Sequence, residues 1–362
     1  MPQYPVQIGD PAPWFSASSG SGPEPVAFDE LAGRVILLFF FGAAAQPDVA
    51  TTLSSLDPSS EIFDGDRFLF LGVSHDPDDF AQERVPNQIG HIYLLDASDD
   101  AARRYGVGAT STSVFRPTAF LLSPALQILD IIPFDKPEDF VRRSASALRA
   151  LLTRYPSEQN VPMIVAPNVF DLGFCRQLID LYDAAGGREL GAIEKNGKIV
   201  ERFDQQLRKR LDYYVADEAV IARCRELISR RLLPLVYRAF QFKVTRIERY
   251  LIGCYDATTG GYFRPHRDNT APIVAHRRFA VSIILNDDFD GGALAFPEFG
   301  RKTYRTAPGD AIVFSCALLH EVTTVTRGRR YAFISFLYDE ASQRMREEFM
   351  RSTAGAAQGG RP

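Results

Sequence analysis

The sequence predicts a two-domain protein, with an α/β domain at the N-terminus and an antiparallel barrel or double-sheet jelly roll, preceded by supporting helices, at the C-terminus. With 362 residues, of which 46% are apolar, the chain can bury more than one core. Apolar strand-like runs in the first part are separated by stretches long enough for crossovers, which is typical of α/β structure. From Phe242 onward the chain becomes a succession of short strands and turns, which is typical of antiparallel barrels.

The predicted N-terminal domain spans residues 1–156. Its strands are expected at four apolar runs, namely Val35 to Phe41, Phe68 to Val73, Ala119 to Leu122 and Ile128 to Ile132. A helix is predicted over KPEDFVRRSASALRALLTRY, because Pro137 suits a first helical turn and the apolar residues that follow fall mostly on one face. Pro156 then ends that helix, so we place the domain boundary there.

The predicted second domain spans residues 157–345 and opens with helices. FDLGFCRQLIDLYDAAGG has helical periodicity and should stop at Gly186-Gly187, whereas Asp217 to Phe240 should be kinked or divided at Pro234. Gly191 to Arg210 is charged and contains glycines, so we expect a mobile loop or an irregular edge over a site. Residues 346–362 have little apolar content and are expected to be disordered.

Charge and cysteine usage narrow the classes of function. A net charge of -4, with acids and bases interspersed, indicates neither nucleic acid nor a membrane surface as partner. The N-terminus MPQYPVQIGDPAPWF lacks the features of a secretion signal, and Val35 to Ala45 is too short to span a bilayer. Cys175, Cys224, Cys254 and Cys316 form no CxxC pair, so we expect a soluble protein of the reducing cytoplasm.

Two of the five histidines, together with one aspartate, form a pattern typical of metal ligands. His266 and Asp268 are two residues apart in a strand-like stretch, so both side chains would project to the same face. His320 follows the apolar run AIVFSCALL, and an antiparallel barrel can bring that strand end beside the first pair. Two imidazoles and one carboxylate on one side of a metal leave three positions open, as in non-haem iron(II) oxygenases.

An arginine that could bind a carboxylate follows the last of these residues. Arg330 leads an apolar strand ten residues after His320, where a guanidinium group can grip a carboxylate bidentately inside the barrel. Its segment reads TRGRRY, so Arg327 and Arg329 compete for the same assignment. Period-two alternation places Arg330 on one face of the strand and Arg329 on the other.

These residues lie in segments that resemble the prolyl 4-hydroxylase-like branch of the 2-oxoglutarate oxygenases. The matching segments are CYDATTGGYFRPHRDN, FAVSIILN, GGALAFPEFG, PGDAIVFSCALLHEV and TRGRRYAF, in that order. The resemblance implies a double-stranded β-helix that binds iron(II), 2-oxoglutarate and O2, with ascorbate as a further candidate. It implies His266, Asp268 and His320 as the iron ligands, Arg330 as the partner of the distal oxoglutarate carboxylate, and Tyr255 in the lining of that pocket, with no catalytic residue beyond the metal ligands.

One position departs from the family pattern. Ile284 stands where related enzymes often have a tyrosine that hydrogen-bonds the oxoacid. Either Ser282 or Tyr262 could replace it, or the oxoacid is held by fewer contacts.

The first domain resembles the peroxiredoxin branch of the thioredoxin fold. The segments are VQIGDPAPWF, VILLFFFGAAAQPDV, FLFLGVSHDPDDF and YGVGATSTSVFRPTAFLL. The family's attacking cysteine belongs just past the first long strand, where Val49 stands, and no cysteine precedes Cys175. We therefore interpret this domain as a degenerate scaffold for recognition or assembly.

The leading hypothesis is an oxygenase that hydroxylates a C–H bond of a protein or peptide side chain, proline above all, and releases succinate and CO2. A second hypothesis keeps the chemistry but assigns it to a free amino acid or another small molecule. A third is a non-catalytic binding module gated by oxoglutarate and iron. Oligomeric state is left open.

Overall fold

The computed structural model describes residues 6–19, 25–56, 62–109, 114–153, 159–189, 192–195, 198–201 and 204–358. The chain divides into two compact units. One comprises Met1–Gln159 with Pro297–Arg301, and the other comprises Asn160–Phe296 with Lys302–Pro362. No helix in the described residues is long and apolar enough to cross a membrane.

The first unit is a seven-stranded sheet flanked by helices, with strand order β2-β1-β5-β4-β3-β6-β7. Its strands are β1 Ser16–Ser19, β2 Pro25–Ala27, β3 Val35–Gly42, β4 Phe68–Ser74, β5 His91–Leu95, β6 Thr118–Leu122 and β7 Ile128–Pro133. Its helices are α1 Pro47–Ser55, α2 Asp78–Ala81, α3 Asp100–Arg104 and α4 Pro137–Thr153. Strand β3 is buried along its whole length because it lies between β4 and β6 in the centre of the sheet.

The second unit is built around two antiparallel sheets. The strands are β8 Met163–Ala166, β9 Ala192–Lys195, β10 Lys198–Glu201, β11 Arg208–Lys209, β12 Leu211–Tyr214, β13 Arg246–Asp256, β14 Tyr262–His266, β15 Phe279–Ile284, β16 Asp290–Gly291, β17 Leu294–Ala295, β18 Thr303–Tyr304, β19 Ala311–Ser315, β20 His320–Val322, β21 Val325–Arg327 and β22 Arg329–Tyr338. The major sheet has the order β12-β13-β22-β15-β19-β8 and the minor sheet the order β11-β14-β20-β17-β18. The predicted fold class, an α/β domain followed by a jelly roll, is confirmed.

Helices pack against the outer face of the major sheet and support the barrel on that side. They are α5 Leu172–Ala185, α6 Glu218–Arg231 and α7 Leu233–Phe240. Leu178 of α5 and Leu227 of α6 share one buried core with Val281 and Phe333 of the sheet. Helix α5 ends at Gly186, whose φ is 73°, and the second helical stretch divides just before Pro234, as the sequence indicates.

The structure bears on two expectations about this unit and overturns the second. The charged stretch from Gly191 to Arg210 contains the β9–β10 hairpin and the edge strand β11, while residues 190–191, 196–197 and 202–203 lie outside the described residues. The tail from residue 346 was expected to be disordered, but α8 Glu340–Gln358 is helical and only residues 359–362 lie outside the described part. The first turn of this helix is anchored, because Asp339 accepts a hydrogen bond from the Ser342 backbone N–H (2.9 Å) and the Ser342 hydroxyl accepts one from Arg278 Nε (2.8 Å).

Candidate active site

Two neighbouring strands of the minor sheet bring together the three predicted metal ligands. His266 at the end of β14 pairs directly with His320 at the start of β20, and their ring centroids are 4.2 Å apart. Asp268 Oδ1 lies 3.6 Å from His266 Nε2, and Asp268 Oδ2 lies 3.4 Å from His320 Nε2. One candidate ligand atom from each residue lies within 4.8 Å of the other two, which is a spacing a single metal ion can bridge.

Backbone carbonyls orient both imidazoles. His266 Nδ1 lies 2.8 Å from the Arg264 carbonyl oxygen, and His320 Nδ1 lies 3.0 Å from that of Leu318. Because a carbonyl only accepts hydrogen bonds, each Nδ1 must carry the proton and donate it. Both Nε2 lone pairs are therefore left to face Asp268, as metal-binding histidines require.

The protonation states also suit metal binding. Burial and the neighbouring His266 lower the pKa of His320 to about 4. Burial alone would raise the pKa of Asp268, but the adjacent His320 and His266 imidazoles hold it well below its usual range. His320 is thus a neutral imidazole beside the ionised Asp268 near neutral pH, which is the form a metal ion binds.

We expect the metal-free protein to lose stability as the pH falls from 6.5 towards 4. In that range His320 takes up a proton in the unfolded chain but stays neutral in the folded one, so acid favours unfolding. The full decrease in the free energy of unfolding is on the order of 3 kcal/mol. Asp268, whose pKa is depressed in the folded protein, adds a further loss below its ordinary value of 3.8. Melting temperatures measured across this range should fall less steeply for His320→Gln, and an equal slope in that variant would contradict the assignment.

Only one of the three arginines in TRGRRY points into the barrel. Arg330 is 2% exposed and lies beside Tyr255, its partner in the pairing of β13 with β22. Arg327 is exposed and pairs with Asp290 (2.5 Å), and Arg329 is exposed and pairs with Asp183 (3.1 Å). Arg330 Nε has no hydrogen-bond partner, and no acidic side chain in the described part of the chain forms an ion pair with it.

Tyr255 is held against Arg330 by a second buried arginine that the sequence reasoning did not single out. The Tyr255 ring lies 5.0 Å from the Arg330 guanidinium carbon, and its hydroxyl accepts a hydrogen bond from Arg210 Nη1 (3.3 Å). Arg210 is in turn bound through two nitrogens to Asp212, at 2.5 and 3.0 Å. The alternation of charged residues in RKRLD was the available signal, because period two would place them on one face.

The absence of a side chain at Gly292 leaves space for the side chain of Arg330. A Cβ atom at Gly292 would lie 2.8 Å from Arg330 Cδ and 2.8 Å from Val325 Cγ2. We therefore expect Gly292→Ala to displace the guanidinium group and raise the KM for 2-oxoglutarate at least about tenfold, which corresponds to roughly 1.4 kcal/mol. Gly260→Ala is the matched control, since Gly260 has a similar φ (+66°, against +61°) with no atom within 4 Å. Equal KM values for the two variants would argue against a steric role of Gly292.

The pairing of β15 with β22 tests the two candidates for replacing the tyrosine missing at position 284. Ile284 pairs with Ala332 on the inner face of the barrel, and Ser282 pairs with Ile334 on the same face. Tyr262 is excluded as a replacement for the missing tyrosine, because its hydroxyl donates to the Gln205 carbonyl (2.7 Å). Ser282 is therefore the one of the two named candidates that shares the face of Arg330.

His276 is buried in the second unit but lies outside the triad. It is 2% exposed, and its Nε2 lies 2.7 Å from Glu248 Oε2. It is not among the residues grouped around the possible metal position. It is buried because Glu248 and Tyr338, whose ring centroid is 5.0 Å away, provide a polar and an aromatic neighbour.

In the first unit, the position of the missing thiol is part of the core. Val49 in α1 is fully buried among Phe39, Phe41 and Phe70. The four cysteines of the chain are free and buried, and the first of them is Cys175 in α5. This unit therefore offers no thiolate for peroxide chemistry.

A jelly-roll barrel that presents two histidines, one carboxylate and an unpaired inward arginine has the features of a non-haem iron oxygenase domain. Residues 250–338 match the family model of the 2OG-Fe(II) oxygenase superfamily, and residues 8–131 match that of the AhpC/TSA family. A PKHD-type hydroxylase of Shewanella sp. strain MR-7 is 30% identical over 203 residues, which cover 51% of this chain and 83% of that protein. One from Caulobacter vibrioides is 42% identical over 79 residues, or 19% of this chain and 35% of that protein.

Among solved structures, a prolyl-4-hydroxylase of Pseudomonas putida is 18% identical, with a TM-score of 0.38, over 53% of this chain and 98% of that one. The peroxidoxin BcpB of Mycobacterium tuberculosis is 22% identical, with a TM-score of 0.35, over 40% of this chain and 98% of that one. The chain belongs to the PKHD-type hydroxylases of the 2OG-Fe(II) oxygenase superfamily. It is a dioxygenase that uses iron(II), 2-oxoglutarate and O2 for hydroxylation.

Proposed function

We propose that His266, Asp268 and His320 bind the iron(II) ion, that Arg330 binds the distal carboxylate of 2-oxoglutarate, and that Tyr255 lines its pocket. The observation that carries this proposal is the unpaired Arg330. Burying a guanidinium group that is 2% exposed and lacks a carboxylate partner lowers the stability of the folded protein. A bound dianion would supply the missing negative charge.

The residues fit both groups. The donor set of two imidazoles and one carboxylate is the one that leaves three open positions, of which a chelating oxoacid takes two. The orphaned Arg330 Nε, together with the space kept open by Gly292, provides the anion site at the inner end. Burial lowers the pKa of Arg330, and a bound carboxylate would stabilise its charged form.

Iron(II), together with 2-oxoglutarate and O2, supplies the oxidative decarboxylation and the C–H hydroxylation when bound. The chain's own residues position the reactants. The Arg264 and Leu318 carbonyls fix the two imidazoles, and Arg210 holds the Tyr255 hydroxyl so that the ring packs against Arg330. Phe263 stacks on His266 with ring centroids 3.5 Å apart and shields that side of the metal position from water.

For the substrate we propose a protein or peptide side chain, with proline first, in line with the family's hydroxylases. Assignment to a free amino acid or another small molecule is the alternative. The degenerate AhpC/TSA-family unit would serve recognition or assembly, ascorbate would serve as reductant, and the free cysteines favour a cytoplasmic location.

The test begins without oxygen. Metal-free protein is mixed with ferrous iron and 2-oxoglutarate, and the visible charge-transfer absorption of the chelated oxoacid is expected to appear. Admission of O2 should then produce succinate, and proline-containing peptides should gain the mass of one oxygen atom. No absorption in the wild-type protein would contradict the metal and oxoacid assignment, whereas absorption without succinate would favour a gated binding module.

A further inference from the structure

The interior of the barrel carries more positive charge than the proposed reaction uses. Two carboxylates, Asp212 and Glu248, face four arginines, Arg208, Arg210, Arg249 and Arg277. Arg330 and the proposed metal ion add further positive charge. A bound oxoglutarate dianion would neutralise the charge of Arg330 and the metal ion. The excess positive charge among the four arginines would therefore remain.

Each of the two carboxylates is already committed to one arginine. Asp212 receives two hydrogen bonds from Arg210, and Glu248 receives two from Arg277, at 2.5 and 3.2 Å. Arg208 lies 3.8 Å from Asp212, and Arg249 Nε lies 3.4 Å from Glu248, so these two are the looser members of each cluster. We call Arg208 and Arg249 the surplus arginines.

Each surplus arginine packs on an aromatic ring, and the ring beside Arg208 borders the proposed metal position. The Arg208 guanidinium carbon lies 5.4 Å from the Phe263 ring, which itself stacks on His266. The Arg249 guanidinium carbon lies 5.5 Å from the ring of Phe336, which pairs with Glu248 on the inner face of the barrel. The side chains of Arg208 and Arg249 are 20% and 32% exposed, so a ligand entering the barrel can reach both.

The backbone is bent to keep Arg249 in this position. A register shift between Glu248 and Leu251 interrupts the pairing of β13 with β22, and Arg249 has a φ of 67° in the left-handed region. The Ser335 hydroxyl, which is fully buried, donates to the carbonyls of Glu248 (3.0 Å) and Arg249 (2.8 Å) and so supports the bulge. Such local strain is typical of sites that hold a ligand.

Electrostatics agrees with this geometry. Burial and the neighbouring Arg210 lower the pKa of Arg208, and burial and the neighbouring Arg277 lower that of Arg249. Like charges that repel each other in a half-buried site are stabilised when an anion binds between them.

We propose that Arg208 and Arg249 bind a carboxylate of the substrate, so that the hydroxylated C–H bond belongs to an acidic compound. This inference deepens the proposed function and rests on it. The carboxylate has two possible sources: the side chain of an acidic residue beside the target in a peptide, or the α-carboxylate of a free amino acid.

The test uses the full chain loaded with iron(II) and 2-oxoglutarate. One arm compares two pools of capped proline-containing peptides that differ only in glutamate against glutamine next to the proline. The other arm compares L-proline with L-prolinamide. Succinate release and oxygen incorporation are measured in both arms, so the arm that responds identifies the source.

We expect the carboxylate member of one pair to be used with a kcat/KM about 10- to 100-fold higher than the amide, as a charge-assisted hydrogen bond predicts. Arg208→Gln and Arg249→Gln should each reduce this preference by raising the KM for the acidic compound, and Arg208→Lys should restore part of it. Arg246→Gln is the control, because Arg246 lies on the same strand as Arg249, β13, but its side chain is 50% exposed and pairs with Glu340 at 3.0 Å. Melting temperatures separate binding from structure: removal of a repelled cation should not lower them, whereas a structural arginine would.

Equal use of acid and amide in both arms, or a preference that survives in the double variant, would overturn the proposal. The absence of succinate and of the charge-transfer absorption in the wild-type protein would instead overturn the proposed function beneath it.

Discussion

Replacing Asp268 by alanine is expected to abolish iron-dependent turnover. Asp268 is the only carboxylate of the triad, and both histidine Nε2 atoms lie within 3.6 Å of its oxygens. Since loss of a residue that merely orients a metal ligand already costs about 10- to 100-fold, loss of this ligand should reduce kcat/KM more than about 100-fold. The measurements are ferrous iron binding by charge-transfer absorption and succinate formation.

A matched pair of histidine variants tests whether the effect is specific to the triad. His320 and His276 are both buried in the same unit, at 5% and 2% exposure, but only His320 lies in the triad. We expect His320→Ala to lose the absorption and His276→Ala to keep it, with a lower melting temperature because Glu248 then lacks one partner. Loss of iron binding in both variants to the same extent would refute the distinction.

Replacing Arg330 by methionine is expected to separate stability from co-substrate binding. The KM for 2-oxoglutarate should rise about 100-fold or more, because two charge-assisted hydrogen bonds to a carboxylate would be lost. In the absence of 2-oxoglutarate, the melting temperature of the variant should equal or exceed that of the wild-type protein, since an unpaired buried cation is replaced by an apolar side chain of similar length. Titration with 2-oxoglutarate should then stabilise only the wild-type protein.

The neighbouring arginine supplies the control for this second variant. Arg329 is adjacent in sequence but exposed, and it pairs with Asp183 on the opposite face of β22. Arg329→Met should therefore leave the KM for 2-oxoglutarate unchanged. If both variants raised this KM equally, the effect would reflect general charge and not a carboxylate site at Arg330.

The part of this site that lies close together in sequence could be predicted from the sequence. In an extended strand, residues two apart share a face, so HxD at 266–268 already implied that one imidazole and one carboxylate point together. The apolar runs on either side of His320 and Arg330 indicated strands, and the structure has β19, β20 and β22 there. In the first unit, β3, β4, β6 and β7 were predictable because buried strands need continuous apolar runs, whereas β1, β2 and β5 were not predicted.

Sequence by itself also determined the absence of a thiol before Cys175, and hence the degenerate character of the first unit. Tertiary structure alone decided which arginine of TRGRRY faces inward, because that depends on the register that sets Arg330 opposite Tyr255. Only the tertiary structure showed that Arg210 and Arg277 are neutralised by carboxylates, while Arg208 and Arg249 are in surplus. The reason is physical: alternation along one strand is a local property of the chain, whereas charge balance in a barrel depends on side chains from strands far apart in sequence.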